Sequence, residues 1–163
     1  MKKITLLISS IILFFFINGC AGYEPIFSST NLQFEIADYS IKGDKTLGGK
    51  IYSKLHDISK NNKNNQDAKN IELFINVTKT KDSTSKDTSG KILEYKITLN
   101  VEVEIQDFIT SDEILNQTFT SSTAYKVQSQ YSDTIKLENK SIEDLINKIY
   151  QELLIKLSQN IGT

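Results

Sequence analysis

The chain has 163 residues, of which 39% are hydrophobic and 24% are charged, and its formal net charge at pH 7 is -1. This length predicts a single domain with its own core, and the near-zero charge offers no attraction toward nucleic acid. One cysteine and one histidine exclude a disulfide framework and are too few for a zinc or haem site, so we expect no metal and no cofactor.

The first residues have the pattern of a secretory signal. Lys2 and Lys3 form a positive head, and the chain then runs without a charge from Ile4 to Ile17. A helix that spans a bilayer needs roughly 20 apolar residues, which is more than this run supplies. We therefore interpret residues 1–19 as a signal peptide that is removed.

The end of the apolar run resembles the lipobox of bacterial lipoproteins. Ile17 stands three residues before Cys20, and Gly19 stands directly before it. The resemblance implies that the sulfur of Cys20 carries a lipid and that two or more acyl chains hold the protein stably on a membrane. Ala21, where an aspartate would retain the protein, implies the outer membrane. A plain signal peptide followed by a free thiol is the alternative.

Two elements are predicted in the next part of the chain. Residues 20–31 contain Pro25 and a Ser-Ser-Thr cluster, which is typical of an extended spacer before a domain at residues 32–163. A short strand follows, in which Leu32, Phe34 and Ile36 alternate with polar neighbours. Helical spacing then relates Leu47, Ile51, Leu55 and Ile58, with Asp44 or Thr46 available as the N-cap. Residues 59–70 are polar and predict a loop.

Three strands are predicted after this loop. The first covers residues 71–77, and the second shows unbroken alternation from Leu93 to Ile105, which is the strongest pattern in the chain. The third extends from Ile114 to Tyr125. The charged segment Thr78–Lys91 predicts a hairpin connection between the first two strands, with Gly90 as the turn residue.

A helix closes the chain. Ser141 and Asp144 form a capping box, and an apolar stripe follows at helical spacing; its members are Ile142, Leu145, Ile146, Ile149, Leu153, Leu157 and Ile161. The element order β-α-β-β-β-α predicts an α+β two-layer sandwich, in which two helices cover one face of a four-stranded, mostly antiparallel sheet. The other face of the sheet is expected to be polar.

Nothing in the sequence indicates an enzyme, and no catalytic residue is predicted. The segment GDKTLGGKI has Asp44 and Ile51 where a phosphate-binding loop needs glycine and a hydroxyl residue. We interpret His56 as a histidine near the surface, because no motif supplies triad partners. Glu102 and Glu104 alternate outward on one strand, which is typical of solvation rather than acid-base chemistry.

Lysines are concentrated in the predicted hairpin. Four of them lie within thirteen residues: Lys79, Lys81, Lys86 and Lys91. Such a cluster is either a solvated loop or a patch that meets anionic groups. The chain has no arginine, so any such contact uses point charges and is weakened by salt.

Several segments together resemble the family of LPS-assembly lipoproteins, LptE, which are the outer-membrane partners of the LPS translocon barrel LptD. The anchor cysteine is followed by GYEPIF (22–27), similar to the opening of many members. The likeness continues through LEYKITLNVEVEI (93–105), AYKVQSQYS (124–132) and the terminal helix IEDLINKIYQELLIKL (142–157).

The resemblance implies a role without catalysis. The protein would plug the LptD barrel, support its assembly and contact lipopolysaccharide, while lipid on Cys20 anchors it to the periplasmic side of the outer membrane. By analogy with family members, Lys86 and Lys91 in the hairpin are candidates for lipopolysaccharide binding, and Lys136, expected in the loop before the last helix, is a third. The alternative is a stand-alone periplasmic lipoprotein that binds a small ligand or the cell wall.

Overall fold

The computed structural model describes residues 32–60 and 68–161. The predicted signal peptide, Cys20, the spacer and most of the polar loop lie outside these residues. Within them the elements are β1 (Phe34–Gly43), α1 (Lys45–Lys60), β2 (Lys69–Lys86), β3 (Ile92–Asp107), β4 (Glu113–Lys126) and α2 (Tyr131–Ile161). None of the helices in this part of the chain is long and apolar enough to cross a membrane.

The four strands form one sheet in the order β1-β2-β3-β4. β1 pairs with β2 in parallel, as the intervening helix requires, and the other two pairs are antiparallel. Both helices pack on the same face of the sheet, which we call the helix face. The predicted α+β sandwich with the order β-α-β-β-β-α is confirmed.

The core lies between the helix face and the two helices. Alternate residues of β2 and β3 point into it, as period-2 patterning dictates, and the apolar stripes of α1 and α2 cover them. Its least exposed large side chains are Phe34, Ile51, Leu55, Ile71, Leu73, Ile75, Ile97, Leu99, Ile105, Ile146, Ile149 and Leu153. The alternation from Leu93 to Ile105 therefore predicted the inward residues of β3 correctly from Ile97 onward.

The opposite, open face of the sheet is polar, as predicted. Cross-strand hydrogen bonds connect its side chains: the amide of Asn76 donates to Glu102 at 2.9 Å, and the hydroxyl of Thr120 donates to Asn100 at 2.7 Å. Glu102 thus takes part in the polar pairing of adjacent strands.

The first helix begins as predicted, with Asp44 as the N-cap. Its carboxylate accepts the backbone N–H groups of Thr46 and Leu47, both at 3.1 Å, which satisfies two donors that the first turn leaves free. Gly48 then lets the helix approach β1 closely, since a Cβ atom at this position would lie 2.5 Å from Cγ2 of Ile41.

β1 is longer than the predicted strand. An irregularity in pairing with β2 lies between Ile36 and Asp38, and it shifts the side-chain alternation by one residue. Phe34 and Ile36 face the core before it, whereas Tyr39 stacks on Tyr52 of α1 after it, with ring centroids 4.0 Å apart. The alternation of apolar and polar residues in the sequence is therefore interrupted after Ile36, although the strand continues to Gly43.

The predicted hairpin connection is mostly strand. β1 pairs with β2 only as far as Val77, whereas β2 pairs with β3 as far as Lys86. The predicted loop was wrong here because the long β3 supplies a partner for these polar residues. Only residues 87–91, which we call the tip turn, connect the strands. Gly90 has a φ of 85°, a backbone conformation that glycine adopts readily because it has no Cβ atom.

The last helix begins at Tyr131, ten residues before the predicted capping box at Ser141. Lys136 therefore lies in the helix, and its predicted place in a loop was wrong. The reason is that two inward positions of the early turns carry the polar residues Thr134 and Glu138. An apolar stripe, read from the sequence, starts only after them.

The two ends of the sheet hold different segments, and we call the end where the chain enters β1 the entry end. At the entry end, β1 begins at Phe34 opposite Lys69, and β3 finishes at Asp107 opposite Ile71. The tip turn lies at the other end. Because β2 has 18 residues and a strand rises about 3.3 Å per residue, roughly 55 Å of strand separates these ends.

Candidate functional site

A groove opens on the helix face beside the tip turn, with a volume of about 510 Å³. Three segments form it: the outer parts of β2 and β3 with the tip turn between them, the connection from β4 to α2, and the first two turns of α2. We call it the tip groove; its lining residues are Lys81, Gly90, Lys91, Ile92, Tyr95, Val127, Gln128, Ser129, Tyr131, Thr134, Ile135 and Glu138.

A charged pair forms one wall of the tip groove. The Nζ atom of Lys81 donates to Oε2 of Glu138 at 2.6 Å, and the hydroxyl of Tyr125 donates to the same oxygen at 2.8 Å. The ammonium of Lys81 also lies 4.3 Å from the centre of the Tyr95 ring, which is within cation-π range. The wall is therefore held by a connected set of four side chains from β2, β3, β4 and α2.

This arrangement fixes the charge state of each group. Burial alone would lower the pKa of Lys81, but hydrogen bonds to Glu138 and Tyr125 outweigh it and raise that pKa well above its ordinary range. Burial alone would raise the pKa of Glu138, but the hydrogen bonds that it accepts from Lys81 and Tyr125 lower it. Burial raises the pKa of Tyr125. All three therefore keep their usual charge at neutral pH.

The tip turn contributes Gly90 and Lys91 to the lining of the groove. The carboxylate of Asp87 accepts the hydroxyl of Ser89 at 2.6 Å and the backbone N–H of Lys91 at 2.9 Å. The Ser89 hydrogen bond, followed by that from Lys91, holds the pKa of Asp87 below its ordinary value. The turn is thus closed on itself, and the exposed side chain of Lys91 starts from a fixed backbone.

Apolar and aromatic groups accompany these charges. Tyr131, at the start of α2, is 79% exposed, and Tyr95 and Ile92 also line the groove. With two lysines against one glutamate, the groove carries a net positive charge. Rings and aliphatic groups beside a cation suit an amphipathic anion, whose charged group meets Lys91 and whose apolar part covers the rings.

The three lysines predicted to bind lipopolysaccharide have different positions. Lys91 lines the tip groove. Lys86 is exposed at the end of β2 and is outside the groove lining. Lys136 is 78% exposed on α2 and forms an ion pair with Asp133 at 3.3 Å, while its neighbour Ile135 faces the groove. The structure therefore brings only Lys91 together with the groove residues.

Sequence reasoning missed most of the groove. Tyr131, Gln128 and Ser129 lie within AYKVQSQYS, one of the segments that carried the family resemblance, and that was the available signal. No local signal connects Lys81 with Glu138, since 57 residues separate them. Their pairing depends on where α2 crosses β2.

Other candidate chemistry has an ordinary place in the fold. His56 stacks on Tyr52, with ring centroids 5.4 Å apart, near the surface of α1. The described residues hold no group of three or more histidine, cysteine, aspartate or glutamate side chains that could bind a metal ion.

Comparison with known proteins identifies the fold. Neither a family model nor a curated protein sequence matches the chain. Among solved structures, lipoprotein B from Nitrosomonas europaea matches 85% of this chain and 90% of its own with a TM-score of 0.56 and 16% identity.

Two further lipoproteins have the same fold. Rare lipoprotein B from Shewanella oneidensis matches 77% of this chain and 99% of its own with a TM-score of 0.53 and 15% identity. A minor lipoprotein from Acinetobacter baumannii matches 78% and 94% with a TM-score of 0.52 and 19% identity. At this identity the likeness is one of architecture, so the chain has a fold found in bacterial lipoproteins.

Proposed function

We propose that this chain is a lipid-anchored component of the machinery that assembles lipopolysaccharide in the outer membrane. In this role it occupies and supports an LptD-type barrel from the periplasmic side and contacts lipopolysaccharide in the tip groove. The observation that carries the proposal is a fold of bacterial lipoproteins in a chain whose only cysteine ends a segment that resembles a lipobox.

The open face of the sheet supports a place inside a barrel. The lumen of an outer-membrane barrel is polar, so a plug needs a polar surface toward the wall. The open face carries a shallow depression of about 280 Å³, whose polar lining includes Ser40, Lys42, Asn76, Glu102, Asn116 and Thr118. Such side chains can exchange hydrogen bonds with a polar wall.

The tip groove supports contact with lipopolysaccharide. This ligand combines phosphate groups with an apolar lipid, and the groove combines an exposed lysine with aromatic rings. Lys91 would meet a phosphate as a point charge, so binding should weaken as salt increases. Tyr131 would cover an apolar part of the ligand.

The chemistry of the groove favours a role without catalysis. A general acid or base works best when its pKa is near the working pH. Lys81 and Glu138 have pKa values moved away from neutrality in opposite directions. Their charges stabilise each other, which is the behaviour of a structural pair.

Crosslinking in intact outer membranes tests the proposal. A photoreactive residue placed at Asn116 on the open face should crosslink to an LptD-type barrel, which mass spectrometry of the product identifies. The same residue at Asp57, on the helix side of the molecule, is the matched control. If the residue at Asn116 crosslinks to other proteins but not to a barrel, or does not crosslink at all, the proposed place in the lumen is contradicted.

A stand-alone periplasmic lipoprotein that binds a small ligand is the second candidate. The concave shape of the tip groove favours it, because a groove with apolar and polar lining can hold a small amphipathic molecule. The two candidates differ in their partner: the stand-alone protein purifies from membranes as a monomer, and the assembly component purifies with a barrel.

A further inference from the structure

The turn between β3 and β4 exposes two large apolar side chains in succession. Phe108 is 51% exposed and Ile109 is 79% exposed. Single exposed apolar residues are common on protein surfaces, but an adjacent pair at the tip of a turn is a small patch that water solvates poorly. Neither residue is used by the core or by the tip groove.

This turn has a defined conformation. The carboxylate of Asp107 accepts the backbone N–H groups of Ile109 and Thr110 at 2.9 and 3.0 Å. The carboxylate of Asp112 accepts the hydroxyl of Thr110 at 2.8 Å. The acids beside the apolar pair are thus engaged within the turn, and these hydrogen bonds hold a conformation in which Phe108 and Ile109 are exposed.

The turn lies at the entry end, beside the place where the chain enters the domain. The backbone N–H of Phe108 donates to the carbonyl of Asn70 at 2.9 Å, and Asn70 pairs with Glu35 near the start of β1. Two strand spacings therefore separate Phe108 from Glu35, which is about 10 Å.

The same end receives the predicted anchor. Residues 20–31 connect Cys20 to the first described residue, Leu32, and twelve residues span at most about 40 Å. A lipid on Cys20 therefore keeps the entry end within about 40 Å of the membrane. This tether raises the local concentration of lipid at the turn, so that two apolar side chains suffice for a contact that they could not maintain alone.

We propose that Phe108 and Ile109 form a second membrane contact, inserting into the lipid surface to which Cys20 is tethered. The occupant of this patch is lipid, because the anchor and the exposed apolar pair share one end of the molecule. This inference rests on the anchoring part of the proposed function. It adds an orientation: a single point of attachment leaves the domain free to rotate, whereas an anchor and an inserted turn together fix which end faces the bilayer.

The chain provides a clean probe for this contact, since it contains no tryptophan and one cysteine. The polypeptide from Cys20 onward includes every described residue. It can be coupled through Cys20 to a maleimide lipid in phosphatidylethanolamine and phosphatidylglycerol vesicles, with or without brominated acyl chains. Ile109→Trp reports on the turn, and Thr88→Trp, in the exposed tip turn, is the matched control; circular dichroism checks that both fold.

We expect the emission of Ile109→Trp to shift to the blue on coupling and to be quenched by brominated chains, while Thr88→Trp shows neither change. Adding Phe108→Ser to Ile109→Trp should reduce the quenching. Equal quenching of the two tryptophans, or quenching of neither, would overturn the proposal. Because the coupling is chemical, this result is independent of native lipidation and of the barrel, which the mass of the native protein and the crosslinking test separately.

Discussion

The ammonium of Lys81 and the carboxylate of Glu138 meet at 2.6 Å and join β2 to α2 where the core ends. Beyond Val77, β2 no longer pairs with β1. In this outer part of the sheet the contact between Lys81 and Glu138 connects β2 to the early turns of α2. The side chains of Lys81 and Glu138 are 35% and 16% exposed, so solvent screens their attraction less than it screens a fully exposed ion pair. Both residues line the tip groove.

Replacement of Glu138 by glutamine should therefore destabilise the fold. A hydrogen bond between charged groups contributes about 1.5–3 kcal/mol, and partial exposure reduces this, so we expect Glu138→Gln to lower the free energy of unfolding by about 1 kcal/mol. Urea denaturation at pH 7 measures it. Lys136→Met, which breaks the exposed ion pair with Asp133, is the control and should change stability by less than about 0.5 kcal/mol.

The same effect should depend on pH. Because the pKa of Glu138 is lowered from 4.5 in the folded chain, its contribution is present above that value and is lost as the pH falls through the folded pKa. The pKa of Lys81 is raised from 10.5, so its contribution is present below that value and is lost as the pH rises through the folded pKa. The difference between the parent protein and Glu138→Gln should thus shrink as the pH falls below 4.5. A difference that is constant down to pH 3 would contradict the assigned pairing.

Two adjacent glycines of α1 should respond differently to replacement by alanine. A Cβ at Gly49 meets nothing within 4 Å, so Gly49→Ala should stabilise the protein by up to about 1 kcal/mol through helix propensity. A Cβ at Gly48 would lie 2.5 Å from Cγ2 of Ile41, so in Gly48→Ala either the helix or the Ile41 side chain must shift and that gain is lost. Thermal unfolding of the pair gives the comparison, and a Gly48→Ala protein as stable as Gly49→Ala would show that the helix has room.

Charge reversal at Lys91 should weaken binding of lipopolysaccharide. Lys91 is the one of the three candidate lysines that lines the tip groove, so Lys91→Glu should raise the Kd several-fold at low salt and less at high salt. Lys86→Glu and Lys136→Glu make the same charge change outside the groove and serve as controls. Equal effects of all three variants in a titration would indicate attraction to overall charge and would argue against a site in the groove.

Replacement of Cys20 by alanine should release the protein from the membrane. Without acyl chains the described domain offers only the small apolar turn at its entry end, which cannot hold a protein stably on a bilayer. We expect Cys20→Ala to fractionate with soluble periplasmic proteins and to reduce the amount of functional LptD-type barrel in the outer membrane. Normal fractionation together with normal export of lipopolysaccharide in this variant would contradict the anchor.

The sequence predicts the fold well where one pattern acts over a long distance. The alternation of β3 and the apolar stripe of α2 from Ile142 onward both identify inward residues correctly, because each segment buries one regular face. These two patterns, with the order of elements, were enough to indicate the two-layer architecture.

Sequence patterns were insufficient where a partner decides the structure. β1 continues past an irregularity after Ile36 that shifts its alternation, and its extension depends on pairing with β2. The first ten residues of α2 are helical because Thr134 and Glu138 pack inward through hydrogen bonds, which hydrophobic periodicity cannot register. The tip groove combines residues that are far apart in the sequence. The clustered lysines could therefore be identified as candidates, but the aromatic and acidic side chains that lie beside them could not.

The most direct test of the central claim is affinity purification of the tagged, full-length protein from outer membranes in mild detergent. We expect it to carry acyl chains on Cys20 and to recover an LptD-type barrel in near-equal amount, both read by mass spectrometry of the intact complex. Recovery of a monomer with an unmodified thiol and no barrel would contradict the account.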